Sequence, residues 1–197
     1  MPSTERRPIR DRERTRRAVL EAAEAAITQQ GANVSLATIA REAGVTKSGL
    51  MHHFPSREDL YAALVEHVIT HSWEEVNAHV APDDDRPGSF TRAYVRALTG
   101  DSAYLAELGS ATGLLAQLGV DSMEHVLAAA PEDPARWNRA FEADGLPLGR
   151  VWSIRFAAEG IAVALGTAYV TDEQLRLARE ELLALTELDP ETPQPGR

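Results

Sequence analysis

Cysteine is absent from the 197 residues. Disulfides, thiolate zinc sites and cysteine nucleophiles are excluded with it. The absence fits a reducing compartment, so a cytoplasmic setting is the expectation. No uninterrupted apolar run approaches the ~18 residues that a membrane-spanning helix needs, so no membrane is expected as a partner. The basic N-terminus, MPSTERRPIRDRERTRR, is followed by no signal-type apolar stretch and does not read as a secretory signal. Neither a phosphate-binding glycine loop nor a GxSxG motif is present, so neither an enzymatic role nor a cofactor is expected. No segment alternates apolar and polar residues as a strand does, and no internal repeat occurs. Lysine occurs once, as Lys47, among 20 basic residues.

What is present is helical periodicity and an uneven charge. A chain of this length buries about 70% of its unfolded surface and needs no covalent staples. The formal charge is −10, which alone argues against nucleic acid. Its distribution argues the other way. Residues 1–57 carry +4 and the remainder −14. That asymmetry suits either a nucleic-acid-facing head on an acidic body or a basic tail before an ordinary acidic domain.

Val19, Leu20, Ala23, Ala26 and Ile27 recur at helical spacing, and Gly31 ends that helix. A short second stripe, Leu36, Ile39, Ala40 and Ala43, follows a plausible N-cap at Ser35 and breaks at Gly44. Thr46 caps a third short helix that runs to about His53, where Phe54-Pro55 stops it. The motif SRED (56–59) is a capping box that opens a long fourth helix striped by Leu60, Leu64, Val68 and Val76. After the APDDDRPG loop (81–88), helices are expected near 89–99 and 102–118. Another is opened by Asp121 with Glu124 and resumes through Trp137 and Phe141. An apolar segment follows at 148–170, and a last helix is opened by Thr171 and Gln174. The expectation is an all-α chain of about nine helices. Its parts are a disordered basic arm (1–9), a three-helix helix-turn-helix head (10–56), a helical ligand-binding and dimerisation domain (57–188) and a disordered tail (189–197).

Stripe, glycine turn, stripe is the helix-turn-helix pattern. Neither short helix could persist alone, so both depend on a shared core of Val19, Leu20, Ile27, Leu36, Ile39 and Phe54. This leaves Thr46, Lys47, Ser48, Gly49, Met51 and His52 facing outward, on the face that enters a major groove in such proteins. Lys47 brings charge, Ser48 a donor, Gly49 close backbone approach and Met51 a contact for a thymine methyl. Ser35 and Arg57, at two other helix starts, are placed to clamp phosphates.

From RRAVLEAAEAAI through GANVSLATIAREAGVTKSGLMHHFPSREDL the chain resembles the tetracycline-repressor family of transcriptional regulators. The elements IAREAGV, GLMHHF and SREDL carry the likeness, without a gap over about 45 residues. Methionine stands at 51 where the family often has tyrosine, and arginine at 57 where it often has lysine. The resemblance implies a homodimer on a double-stranded DNA operator with a C-terminal domain that senses a small-molecule effector. It also implies that Ser35, Thr46, Lys47, Ser48, Gly49, Met51, His52 and Arg57 match positions that touch DNA. By the same resemblance the effector pocket lies among the middle helices. Tyr104, Leu108, Leu115, Trp137, Phe141, Trp152 and Phe156 are the candidates to line it, which points to an apolar or aromatic effector with one or two polar handles.

Three further features have two readings each. His67 and His71, four apart on one helix face, have metal-ligand spacing, with a solvated helix face as the plain alternative. HVITH lacks the glutamate of a zinc protease helix. The arginines at 6, 7, 10, 12, 14, 16 and 17 are either an arm along the DNA or a solubilising tail. In 148–170, Val151, Ile154, Ala158, Ile161 and Leu165 form one apolar face and Trp152, Phe156 and Val163 another, so a second burial partner is required. With the Leu175, Ala178, Leu182 and Leu185 stripe, residues about 148–188 form the expected dimer surface; the alternative is a fully internal helix. Other function classes stay open: a DNA-binding dimer that ignores ligands, a metal-responsive regulator, or a ligand-binding protein whose head no longer reads DNA.

Overall fold

A computed structural model describes residues 6–108 and 131–187, with side chains from Asp11 onward. Among these residues there are nine α-helices, one π-helical turn and no strand. They divide into two units, residues 6–68 and residues 69–108 with 131–187; the division falls within the fourth helix.

In the first unit, α1 (Arg6–Gln30) buries Val19, Leu20, Ala23, Ala26 and Ile27. Gly31, at φ 83°, ends it by donating its N–H to Ile27 O at 2.8 Å. Ser35 Oγ accepts from Thr38 N at 3.0 Å and starts α2 (Leu36–Glu42). Gly44 turns the chain at φ 68°, a conformation that costs a side-chain-bearing residue about 1–2 kcal/mol. Thr46 Oγ1 then accepts from Gly49 N at 3.0 Å and starts α3 (Lys47–His53). Both short helices have 7 residues and rest on α1 through Ile39, Ala40 and Leu50, all nearly inaccessible. Burying one such leucine is worth about 1.5–3 kcal/mol, which supplies what helix propensity does not. The box before α4 (Arg57–Ala78) is reciprocal: Asp59 Oδ2 accepts from Ser56 N at 3.1 Å, and Ser56 Oγ accepts from Asp59 N at 3.0 Å.

Two sequence boundaries shift. The arm expected to be loose over 1–9 is helical from Arg6, because arginine and acidic residues favour helix and Pro8 lies in the first turn, where no N–H acceptor is needed. The head expected to end at 56 continues to Val68, since Leu60, Leu64, Val65 and Val68 bury into the same unit.

The second unit is organised around α5 (Ser89–Arg96), against which α7 (Asp133–Glu142), α8 (Leu148–Ala164) and α9 (Asp172–Glu187) all pack. Asp144, after α7, caps α5 by accepting from Phe90 N and Thr91 N at 2.8 Å each. Gly88 admits no side chain: a Cβ there would lie 2.9 Å from Leu146 and 3.1 Å from the Thr186 carbonyl. The helix expected over 89–99 instead breaks into a π-helical turn at Ala97–Asp101, before α6 (Ala103–Leu108). Thr99 Oγ1 donates to Val95 O at 2.6 Å, and Arg179 of α9 donates to Thr99 O at 3.3 Å, so the disturbed backbone is satisfied from outside the helix. The apolar segment expected to be helical to 170 stops at Ala164. There Gly166 takes φ 73° and Thr167 Oγ1 donates to Ala164 O at 2.6 Å. The last box forms as expected, Gln174 Oε1 accepting from Thr171 N at 3.0 Å and Thr171 Oγ1 from Gln174 N at 3.2 Å.

The helix opened by Asp121 and Glu124, the remainder of 102–118 beyond Leu108, and the tail at 189–197 lie outside the described residues. Among the described residues no helix is long and apolar enough to cross a membrane.

Candidate nucleic-acid interface

The capped, glycine-hinged α3 presents Thr46, Lys47, Ser48 and His52 to solvent, with Gly49 and Met51 half-buried behind them. Leu50 and Phe54, on the opposite side, are 0% and 2% exposed and anchor the helix. One face is held by apolar burial and the other is left polar and cationic, the division a groove-entering helix requires. Thr46 has a second duty, because its hydroxyl oxygen already accepts the Gly49 N–H. Ser35 is exposed but its Oγ lies 2.9 Å from Thr38 Oγ1 as well as capping α2.

The guanidinium of Arg57, expected to clamp a phosphate, is engaged within its own unit. It donates to Ala32 O at 3.1 Å, Val34 O at 2.9 Å and Tyr61 Oη at 2.7 Å. Tyr61 also donates to Ala32 O. The residue therefore braces the turn between α1 and α2 from within the unit. Carbonyls two and four residues beyond the end of α1 are invisible to a linear reading, which places Arg57 only as a helix start.

The histidine pair four apart engages two different carboxylates. His67 Nε2 lies 3.7 Å from Glu24, whereas His71 Nε2 lies 3.6 Å from Glu75, with its ring 3.9 Å from that of Tyr104. Among the described residues no group of three or more histidine, aspartate or glutamate side chains is placed to hold a metal ion.

Of the effector candidates, Trp137, Phe141 and Trp152 come together. Phe141 is 5.9 Å from Trp152 and 6.3 Å from Trp137, ring centre to ring centre. Trp73, Phe90 and Tyr94 complete the cluster, with Trp73 4.9 Å from Trp137 and Tyr94 5.1 Å from Phe141. Trp73, Phe90 and Tyr94 are not among the sequence-derived candidates; Phe90 and Tyr94 are four apart on one helix, which is the signal for that pair, whereas Trp73 comes from a different helix. Phe141 is fully buried. Phe156, by contrast, is 65% exposed and only flanks Trp152 from outside. Tyr104 packs on His71 rather than in this cluster, Leu108 is buried, and Leu115 lies outside the described residues. One polar chain enters the rings: Tyr94 Oη donates to Glu159 at 2.8 Å, and Glu159 accepts from Arg155 Nε at 3.1 Å. Burial, then the Glu159 charge, pushes the Tyr94 phenol well above its ordinary range, so it stays a donor. Arg155 also lies over the faces of Phe141 and Trp152.

A separate open cleft of about 360 Å³ lies along α9, lined by Thr99, Asp172, Leu175, Arg176, Arg179, Glu180 and Leu183. None of the sequence-derived candidates lines it.

Two family models match the chain. Residues 19–64 match that of bacterial regulatory proteins of the tetR family, and residues 88–187 match the tetracyclin repressor-like C-terminal domain. No curated protein matches it. Among solved structures it is similar to a transcriptional regulator from Rhodococcus sp. Rha1, at 17% identity over 87% of this chain and 95% of the other, with a TM-score of 0.70. A TetR family transcription regulator from Marinobacter aquaeolei VT8 is 17% identical over 90% and 97%, at a TM-score of 0.58. The superantigen PfiT is 20% identical over 89% and 97%, at 0.60. Identities this low show a shared fold, whereas the two family models together span the head and the C-terminal helices. The chain belongs to the tetracycline-repressor family of DNA-binding transcriptional regulators, which are not enzymes.

Proposed function

We propose that the chain is a homodimeric repressor that occupies a palindromic operator and leaves it when a small apolar or aromatic effector binds the second unit. The observation that carries this reading is the division of α3, with Leu50 at 0% exposure on one side and Thr46, Lys47, Ser48 and His52 open on the other. In this reading Lys47, Ser35 and His52 hold phosphates, while Ser48, Gly49 and Met51 lie against base edges and sugar. Two copies present two such helices about 34–36 Å apart or at another groove-matched spacing. The twofold surface is that of α8 and α9. Phe156, Val163 and Leu177 are 65%, 58% and 51% exposed there, and Ala157 and Gly160 between them are exposed and small enough for close helix approach.

Support for an aromatic effector comes from the ring cluster and its Tyr94–Glu159–Arg155 chain, which offers apolar walls and a polar handle. α4 is the covalent link between the units, so an effector acts on the head by favouring one position of α4 over another. A hundredfold preference for the released state, about 2.7 kcal/mol, is within ordinary coupling energies.

The chain itself supplies the test, because all 3 tryptophans, Trp73, Trp137 and Trp152, belong to the ring cluster. Duplexes enriched on the full chain from a random-sequence library serve as operator. Aromatic compounds that shift tryptophan emission are expected to release those duplexes at matching concentrations. Emission shifts without release would leave a ligand-independent DNA-binding dimer.

A further inference from the structure

The basic N-terminal run is not used by the interface described so far. The structure places its arginines on α1 rather than on a loose arm. Arg12 and Arg16 are four apart and share one helix face. Both are exposed, and among the described residues no carboxylate pairs with either. The nearest acid in sequence that pairs at all, Asp11, takes Arg14 at 3.3 Å, roughly opposite on the helix.

Arg16 ends over Phe54, its Cζ 5.1 Å from the ring centre, and that ring lies 6.4 Å from His53. His53 meets His52 edge to face at 5.8 Å. The N-terminal half of α1 and the last turn of α3 therefore bring Arg16, Phe54, His53 and His52 into one row, with Arg12 one turn before Arg16 on the same face. Burial, then the charges of Arg12, His52 and Arg16, holds the His53 pKa below its ordinary 6.5, so the ring is neutral at neutral pH. Among the described residues no carboxylate forms an ion pair with any of these four side chains. On α2, Arg41 and Glu42 pair with each other at 3.8 Å. On α4, Asp59 is taken by Ser56 and Arg57 by the Ala32 and Val34 carbonyls. The remaining cation of α3, Lys47, stands at its other end. Cationic and donor groups thus meet here without a paired acid among the described residues.

We propose that Arg12, Arg16, His52 and His53 form a single seat for a backbone phosphate of duplex DNA, and that filling it places a solvent proton on His53. The proposal rests on the DNA-binding reading above and adds α1 and a proton to it. A phosphate beside the ring favours imidazolium, whereas the free protein disfavours it. Linkage fixes the sign: DNA affinity rises as pH falls through the interval between the raised value in the complex and the lowered value in the free protein, then levels off once both states are protonated.

The test uses the full chain and a fluorescein-labelled duplex enriched on it from a random-sequence library. Wild-type affinity is expected to rise between about pH 8 and about pH 6, by at most about tenfold per pH unit for one proton. Arg12→Gln with Arg16→Gln lowers the log–log salt slope by about 1, while Arg14→Gln, which removes the same kind of charge from the far face, leaves it. His53→Gln binds with a flattened pH response. The wild-type His53 ring, followed by NMR, titrates at higher pH in the complex than free, and this measurement stands even if a variant misfolds. If the wild type binds but His53 titrates identically in both states, or the double variant keeps its full slope, the seat is refuted and the DNA reading survives. If no duplex is enriched, both fail.

Discussion

Arg57 shows how one side chain can change its meaning between a linear reading and a folded one. Its position at a helix start suggests a phosphate contact, yet its guanidinium serves two carbonyls and a phenol of its own unit. Hydrogen bonds from a charged donor are worth about 1.5–3 kcal/mol, and removing the donor leaves part-buried carbonyls without it. Arg57→Met is therefore expected to lower stability by about 1–3 kcal/mol in urea unfolding. It should leave the salt slope of DNA binding unchanged. A slope lower by about 1 at unchanged stability would return Arg57 to the phosphate.

At the scale of elements, the second unit depends on how α5 is held. Arg92, 1% exposed on α5, donates to Asp84 Oδ2 at 2.7 and 3.0 Å and to Pro87 O at 2.8 Å, which ties the preceding loop to the helix. Arg86 holds the same carboxylate from outside and reaches Glu187 of α9 at 2.6 Å. Hydrogen bonding from Arg86, against an opposing effect of burial and with Arg92 helping, keeps the Asp84 carboxyl far below its ordinary 3.8. A depressed carboxylate stabilises the fold above its unfolded value and loses that contribution as pH falls below it. Asp84→Asn should thus lower the urea midpoint at neutral pH. Its deficit against wild type should shrink as pH drops below 3.8. Asp85→Asn, at an exposed neighbour, is the matched control, and an equal loss there would remove the network from the explanation.

For the whole molecule the question is what covers the outer face of α8. Val151, Ile154 and Ala158 are 0% exposed on its inner face, so the fold of one chain is already satisfied there. Phe156 and Val163 stay open, and a single chain gains nothing from them. Phe156→Asp with Val163→Asp should leave unfolding of the isolated chain nearly unchanged while shifting sedimentation toward monomer. On the proposed dimer, duplex affinity should fall with it, because two half-sites would no longer be held by one particle. A variant that stays dimeric would move the interface elsewhere.

Local rules were sufficient wherever the decisive contact lies within a few residues. The caps at Ser35 and Thr46, the boxes at Ser56 and Thr171, the hinge at Gly44 and the buried stripes of α1 and α4 were legible because each joins residues 3 or 4 apart, or a single backbone angle. The same rules marked the face of α3, while the family was legible only as a resemblance of the head motif. Tertiary structure decided what depends on partners far along the chain. It drew Arg57 toward carbonyls 23 and 25 residues away, broke α5 into a π turn held by Arg179, and joined Trp73 to Trp137 while leaving Phe156 outside. Periodicity identifies an apolar face but not which other face covers it, because burial is non-directional and many pairings satisfy one stripe.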